Sequence, residues 1–526
     1  RMIQFPEDAG PLAHPVRPES YVEINNFYTA TVYNKGAEVI RMMQTVLGKS
    51  AFNKAVRSYV AAFDGQAATC ADFVDVMELV GKKDLSQFRL WYSQAGTPTV
   101  TVARETSGTT VRLIVEQRCK PTPGQHEKKP FHIPIVIGWI DEAGAEIYPD
   151  VQGNAAWNED GCLLELNECE QVFEFSNVPS GAVPSLHRGF SAPVHLISDL
   201  SDDEYGFLVG NDQDAYARWQ AAQELYASYI LSACEDRKTG EGERYQRVAS
   251  AFLSILMQEG LDFALMAELL TLPTEVYLGQ LQDVLKPEAL FKAREALIAK
   301  LGQDAIIEIK RRLNAIEDKR YGQTQEAKAA RKLRSVLLGY LVAVQSDYQE
   351  AVKNIIIDQY YKAENMTEQL AALSLVSHST YRERESILQH FYERWQHDDL
   401  VIDKWFAVQA QSKRNDTLDN VQMLMKHKAF SYKNPNRLRS LVGTFTMLNQ
   451  AGFHAENGNG YEMLRIVVEN VDTINPQTAA RMVAPLCRWE RMDENRQQLM
   501  KNNLQLLLSK KGLSTDVHEL VAKSLP

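Results

Sequence analysis

The chain has no C-x-x-C pair, no phosphate-cradling G-x-x-x-x-G-K-[ST] loop, no G-x-S-x-G elbow and no H-E-x-x-H. These absences remove zinc ribbons, P-loop nucleotide chemistry, the α/β-hydrolase serine and the helix-borne zinc pair from what its own residues can build. Its six cysteines, Cys70, Cys119, Cys162, Cys169, Cys234 and Cys487, are scattered and form no disulfide framework. Reduced thiols in a cytoplasmic setting are therefore expected. Long apolar runs are also missing. The stretches His132 to Ile140 and Leu337 to Val344 are far shorter than the roughly 18 residues a bilayer-spanning helix needs, so no membrane partner is expected. A basic excess is missing too: the formal charge is −11, which speaks against nucleic acid as a partner, because polyanion binding needs a cationic surface. The opening, Arg1-Met2-Ile3-Gln4-Phe5-Pro6, has no signal-peptide core. A chain starting at Arg reads as part of something longer.

What is present is an ordinary folding composition, 45% hydrophobic and 24% charged, which excludes a disordered chain. At 526 residues it exceeds a single core, so two to four domains are expected. The first part is helical after a proline-rich opening (Pro6, Pro11, Pro15, Pro18), of which Asp8 to Pro18 are expected to be weakly anchored. Helical period runs through Ala37, Ile40, Arg41, Met43 and Val46, then through Phe52, Ala55, Val56, Tyr59 and Val60. Thr69 is placed to cap a helix ending at Val80-Gly81, with Asp72 in its first turn. A further helix is expected from Leu85 to Gln94, stopped by Gly96 and Pro98.

From Thr99 the period becomes two: Val100 and Val102, then Val111, Leu113 and Val115, then Phe131, Ile133, Ile135 and Ile137. With short runs at Leu163 to Leu166, Val172 to Phe175 and Val194 to Ile197, six to eight strands of a small antiparallel sandwich are expected. From Asp202 to Pro526 only amphipathic helices are visible, for example Trp219, Ala222, Leu225, Tyr226, Tyr229 and Ile230 on one face. Roughly fifteen helices with no strict consensus suggest a HEAT- or armadillo-like solenoid. The expected division is 1–97 helical, 98–198 β-sandwich and 199–526 α-solenoid.

No two of the eleven histidines stand at i, i+4 to share a metal. His390 and His397 are seven apart and read as solvated or core residues, and Ala363-Glu364-Asn365-Met366 reads as a helix boundary with Asn365 as cap.

The most specific stretch is Asn25-Asn26-Phe27-Tyr28-Thr29-Ala30-Thr31-Val32-Tyr33-Asn34-Lys35-Gly36-Ala37-Glu38-Val39-Ile40-Arg41-Met42. It closely resembles the segment that follows the zinc ligands in the aminopeptidase N family of gluzincin metallopeptidases. The resemblance continues, in order, through Gln4 to Pro11, His14 to Pro18, Trp91 to Pro98, Gly189 to Val194 and Asn434 to Ser440, and so covers essentially the whole chain. It implies a mainly α multidomain architecture: the end of a thermolysin-like catalytic domain, a β-sandwich, and a large helical domain closing over the active site. It implies zinc as cofactor and peptides as substrates. It also implies that the G-A-M-E-N segment, the zinc ligands and the general base belong to an N-terminal catalytic portion preceding Arg1, so that this chain alone is expected to be inactive.

Residue by residue, the resemblance gives Tyr33 the role of donating its phenolic hydrogen to the oxyanion of the tetrahedral intermediate. Charge appears on that oxygen only in the transition state, where one placed donor is worth about 3–4 kcal/mol. Tyr28 matches a tyrosine lining the substrate pocket. Asn475-Pro476 starts a helix carrying Gln477 and Arg481 on one face, and Asn434-Pro435 starts another carrying Arg439. All three match cavity-facing residues of the family. On the residues alone, another function class stays open: a noncatalytic sandwich-plus-solenoid module offering a concave surface to a partner.

Overall fold

A computed structural model describes residues 3–10, 12–21, 24–235, 241–344 and 349–525. Arg1, Met2 and Pro11 of the opening lie outside the described residues. The chain divides into two compact units, Arg1–Ala221 and Ala222–Pro526.

In the first unit, a short helix α1 (Gln4–Asp8) precedes a π-helical turn (Thr31–Lys35) that runs directly into α2 (Gly36–Leu47). Helices α3 (Lys49–Phe63), α4 (Cys70–Gly81) and α5 (Leu90–Ser93) follow. The buried face of α2 is Val39, Met42, Met43 and Val46; Met43 and Val46 are as expected, whereas Ala37 is exposed and Ile40 and Arg41 only partly covered. Thr69 and Asp72 form the capping box of α4, each side chain bonding the other's backbone N–H.

The helix expected over Leu85 to Gln94 shrinks to α5. In its first turn the Leu90, Trp91 and Tyr92 N–H groups reach back only three residues, to the Gln87, Phe88 and Arg89 carbonyls. That tighter winding aligns positions three apart, and Leu85, Phe88 and Trp91 are all fully buried in line. Trp91 stacks on Phe131 at 4.4 Å and donates its indole N–H to the His132 carbonyl at 2.8 Å, fastening the helices to the strands.

Among the described residues ten strands form two sheets: β1 (Thr99–Ser107), β2 (Thr110–Arg118), β3 (Ile133–Ile140), β4 (Glu146–Ile147), β5 (Asp150–Gln152), β6 (Ala155–Asn158), β7 (Gly161–Leu166), β8 (Glu170–Ser176), β9 (Val183–Ser185) and β10 (His195–Ser198). One sheet runs β10-β1-β2-β8-β5; the other runs β4-β3-β7-β6 with β9 also on β3. Val102 pairs with Val115, Leu113 with Phe173 and Ile135 with Leu164, so the alternating apolar positions face one core. The count exceeds the expected six to eight because β4, β5, β6 and β9 have two to four residues each, too few to show a period. The sandwich is not wholly antiparallel either: β10 returns beside β1 in parallel. Helix α6 (Asp202–Asn211) closes the unit's described elements before a long helix crosses into the second.

The second unit is all helical among its described residues. Counting α6, twenty α-helical segments lie among the described residues between Asp202 and Ser524, against roughly fifteen expected, and several of them are only four to eight residues long. Ala222, Leu225, Tyr226, Tyr229 and Ile230 are buried, as their spacing requires. Asn365 caps the helix Met366–His378 through the Glu368 N–H. His390 meets the Tyr360 hydroxyl at 2.8 Å, while His397 is exposed beyond the end of its helix at Trp395. The two do not form a pair.

Candidate functional site

Tyr33 sits midway along the π turn Thr31–Lys35. The flanking residues face inward: Thr31 and Lys35 are 0% and 1% exposed, whereas Tyr33 between them is 63% exposed. Extra-wide turns of this kind are rare and recur at functional positions. Among the described residues none hydrogen-bonds to the Tyr33 hydroxyl, and its N–H is spent on the Thr29 carbonyl at 3.2 Å. Tyr28 is 51% exposed, with its ring 6.3 Å from that of Tyr33 at a 33° tilt. The two candidate tyrosines therefore stand together on one exposed patch.

The turn is anchored at both ends by α1. The Glu7 carboxylate accepts from the Thr31 N–H at 2.7 Å and from its hydroxyl at 2.6 Å, and Gln4 donates to the same hydroxyl oxygen at 3.3 Å. At the other end, Lys35 Nζ lies 2.7 Å from Asp8 Oδ2, donates to the Gly96 carbonyl at 2.9 Å, and stands 5.7 Å over the Trp91 ring. Asp8 also accepts from the Gly96 N–H at 3.2 Å and from the Thr97 hydroxyl at 2.9 Å. Burial would raise the Asp8 carboxyl, but the Lys35 charge and hydrogen bonds from Lys35, Thr97 and Gln4 outweigh it and hold Asp8 below the ordinary aspartate value.

His14 secures the approach to the turn. Its Nδ1 is 2.7 Å from the Pro15 carbonyl, which can only accept, so Nδ1 donates. In the neutral ring Nε2 is then left to accept from the Thr29 hydroxyl at 2.9 Å, and the Thr29 oxygen in turn accepts from the Val32 N–H at 3.2 Å. The opening is thus not weakly anchored as expected: Asp8, Ala13 and Val16 are buried, because their partners lie within this same unit.

In the second unit, Asn434 caps the short helix Pro435–Leu438, and a second π turn, Arg439–Gly443, follows. Arg439 is its first residue, exposed, with Nε donating to the Pro435 carbonyl at 3.2 Å. Buried Arg437 fixes the start of the turn through Asp399 at 2.8 Å and Asp403 at 2.9 Å. Asn475 caps Pro476–Val483 as the sequence predicts, leaving Arg481 exposed and Gln477 half-buried. A methyl group added at Gly443 would meet Arg439 Cβ at 3.7 Å and Met482 Sδ at 3.9 Å, so the Arg439 turn lies beside the helix of Gln477 and Arg481.

Among the described residues no group of three or more His, Cys, Asp or Glu side chains is arranged to hold a metal ion. No described helix is long and apolar enough to cross a membrane. The described cysteines are unpaired with one another. Glu7, Asp8, Thr31 and Lys35 escaped the sequence reading as functional residues. Their only signal was to lie inside the two stretches quoted for the resemblance.

Residues 202–526 match the family model described as a domain of unknown function (DUF3458_C) with ARM repeats, residues 96–199 a domain of unknown function (DUF3458) with an Ig-like fold, and residues 1–92 the peptidase family M1 domain. Aminopeptidase N of Escherichia coli (strain K12) is 40% identical over 528 residues, covering 100% of this chain and 60% of the relative. Aminopeptidase N of Haemophilus influenzae is 39% identical with the same coverage. The solved structure of Legionella pneumophila aminopeptidase A in complex with aspartic acid superposes with a TM-score of 0.87 at 29% identity, over 98% of this chain and 59% of that one. The chain thus spans about 60% of the length of the curated relatives it matches. With more than half of its residues inside one family model and all of them aligned to bacterial aminopeptidase N, the chain belongs to the aminopeptidase N family of M1 peptidases.

Proposed function

We propose that this chain works as part of a zinc-dependent aminopeptidase that removes N-terminal residues from peptides, with Tyr33 as the hydrogen-bond donor to the oxyanion. The observation that carries the reading is the Tyr33 phenol itself, exposed on a turn whose two flanking residues are buried. A donor held by the backbone costs no reorganisation as charge develops, which is what makes it effective. In this reading, which follows the family resemblance, the metal and the general base are supplied by residues other than those described. Tyr28 is proposed to pack on the bound peptide, and Gln477, Arg481 and Arg439 to bind peptide through their exposed polar ends. The working division is 1–97 as the end of the catalytic domain, 98–198 as the sandwich and 199–526 as the solenoid. A cytoplasmic setting agrees with six unpaired cysteines.

The test compares full-length enzyme with its Tyr33→Phe variant on an alanine anilide. Loss of one oxyanion donor is expected to lower kcat about 10²- to 10³-fold. An unchanged kcat sinks the assignment. The present chain with added zinc is expected to show no turnover that Tyr33→Phe abolishes.

A further inference from the structure

We propose that Glu7 and Asp8 are positioning residues for Tyr33: adjacent on α1, they hold Thr31 and Lys35 at the two ends of the π turn and thereby set the direction of the phenol. The inference rests on the proposed role of Tyr33 as a donor.

A π turn hydrogen-bonds less well than an α-turn and persists only where its surroundings over-determine it. Here the surroundings are specific. Glu7 takes both donors of Thr31, at 2.7 and 2.6 Å, and it does so at the start of the helical run, where a negative charge meets the positive end of the backbone dipole. Asp8 takes Lys35 four residues on, at 2.7 Å, with both side chains at 0% exposure. A buried ion pair contributes little net stability, because desolvation offsets attraction, and apolar residues of like volume would fold as well. What apolar residues would not provide is direction. An ammonium shared between the Asp8 carboxylate and the Gly96 carbonyl fixes the Lys35 end of the turn in angle as well as in depth. Tyr33, two residues from each anchor, has its side chain 63% exposed, with the neighbouring Tyr28 ring 6.3 Å away.

The test is a double-mutant cycle in the full-length enzyme. Asp8→Asn with Lys35→Met removes both charges at similar volume, so that no uncompensated charge remains buried. In the Tyr33 background kcat is expected to fall about tenfold to a hundredfold, the cost of roughly an ångström of misplacement, with KM changed less than about twofold. In the Tyr33→Phe background the same pair of substitutions is expected to cost nothing further. An equal fall in both backgrounds overturns the inference, since the pair would then act on something other than the phenol. So does an unchanged kcat at unchanged Tm. A second arm keeps both charges: Thr31→Val is expected to lower kcat and Thr31→Ser, which retains the hydroxyl for Glu7, to restore it. Should Tyr33→Phe itself leave kcat intact, the proposed function fails while positioning is still read from the ¹⁹F resonance of 3-fluorotyrosine at position 33. That resonance is expected to shift and broaden in the Asp8→Asn/Lys35→Met chain, and an unchanged spectrum overturns the inference.

Discussion

Lys35 Nζ and Asp8 Oδ2 are 2.7 Å apart with neither side chain reaching solvent, although 27 residues separate them in sequence. The pair ties the first helix to the turn that carries Tyr33, and through the Gly96 carbonyl it ties both to the segment leading into β1.

Removing one partner is costlier than removing both. Asp8→Asn leaves the Lys35 ammonium buried without its counter-charge, and a loss of about 3–5 kcal/mol at pH 7 is expected. Because the folded Asp8 carboxyl lies below its ordinary value of 3.8, its contribution is fully present above that value and is lost as pH falls through the lower folded value. Urea unfolding should show the gap between wild type and Asp8→Asn narrowing below pH 4. A gap constant from pH 7 down to pH 2 would contradict it.

His454 provides a second acid-sensitive point. It is 5% exposed, with Nδ1 3.0 Å from the Tyr461 hydroxyl, and burial followed by the charges of Arg496 and Arg488 pushes its imidazole down to about 3. The unfolded chain takes up this proton near pH 6.5 and the folded one does not. Stability is therefore present above 6.5 and declines as pH falls toward 3, by about 1.4 kcal/mol per pH unit. His454→Gln should flatten that slope in unfolding of the helical unit between pH 6 and 4; an unaltered slope rules out the assignment.

For the peptide-binding candidates, the signature is in the Michaelis constant. Arg439→Ala and Arg481→Ala remove exposed guanidinium groups whose loss leaves no buried charge, so the fold should be unaffected. If they bind peptide equally in ground and transition states, KM for tri- and tetrapeptides rises about five- to fiftyfold with kcat unchanged. Matching KM values for variants and wild type would remove both from the site.

Gly96→Ala tests the close approach at the Asp8 knot. Gly96 has φ +93°, and a Cβ there would come within 2.8 Å of Cys119 Sγ. Left-handed strain and overpacking together are expected to cost about 2–4 kcal/mol, read as a lower Tm. A Tm within 1 °C or so of wild type would show that the knot yields easily.

Much of the architecture was legible because burial imposes a period. Val111, Leu113 and Val115, every second residue of their strand, are buried as read, and Leu225, Tyr226, Tyr229 and Ile230 recur at helical spacing. Strands such as Glu146–Ile147 were not, since two residues carry no period. The Leu85 to Gln94 stretch misled because a three-residue spacing fits both an α-helix and the tighter winding observed. Caps were legible wherever side chain and backbone are neighbours, as at Thr69, Asn434 and Asn475. The Tyr33 turn was visible only as a resemblance. Its hydrogen-bond register is a property of the backbone that side-chain pattern does not report, and its anchors Glu7 and Asp8 lie 24 and 27 residues from their partners.

The widened turn at Thr31–Lys35 also makes the direction of Tyr33 a matter of arithmetic. A π turn accommodates one residue more than an α-turn between the same hydrogen-bonded ends, and one residue in a helix is about 100° of rotation. Were the chain one residue shorter between Tyr33 and Gly36, the helix could continue unbroken into α2 with every apolar contact of Val39, Met42 and Met43 in place, and the phenol would point about a quarter-turn away. The aim of this side chain is thus written in the count of residues around it as much as in their identities: a single-residue deletion here would turn the phenol and, with it, either lose Lys35 from Asp8 or carry Thr31 away from Glu7.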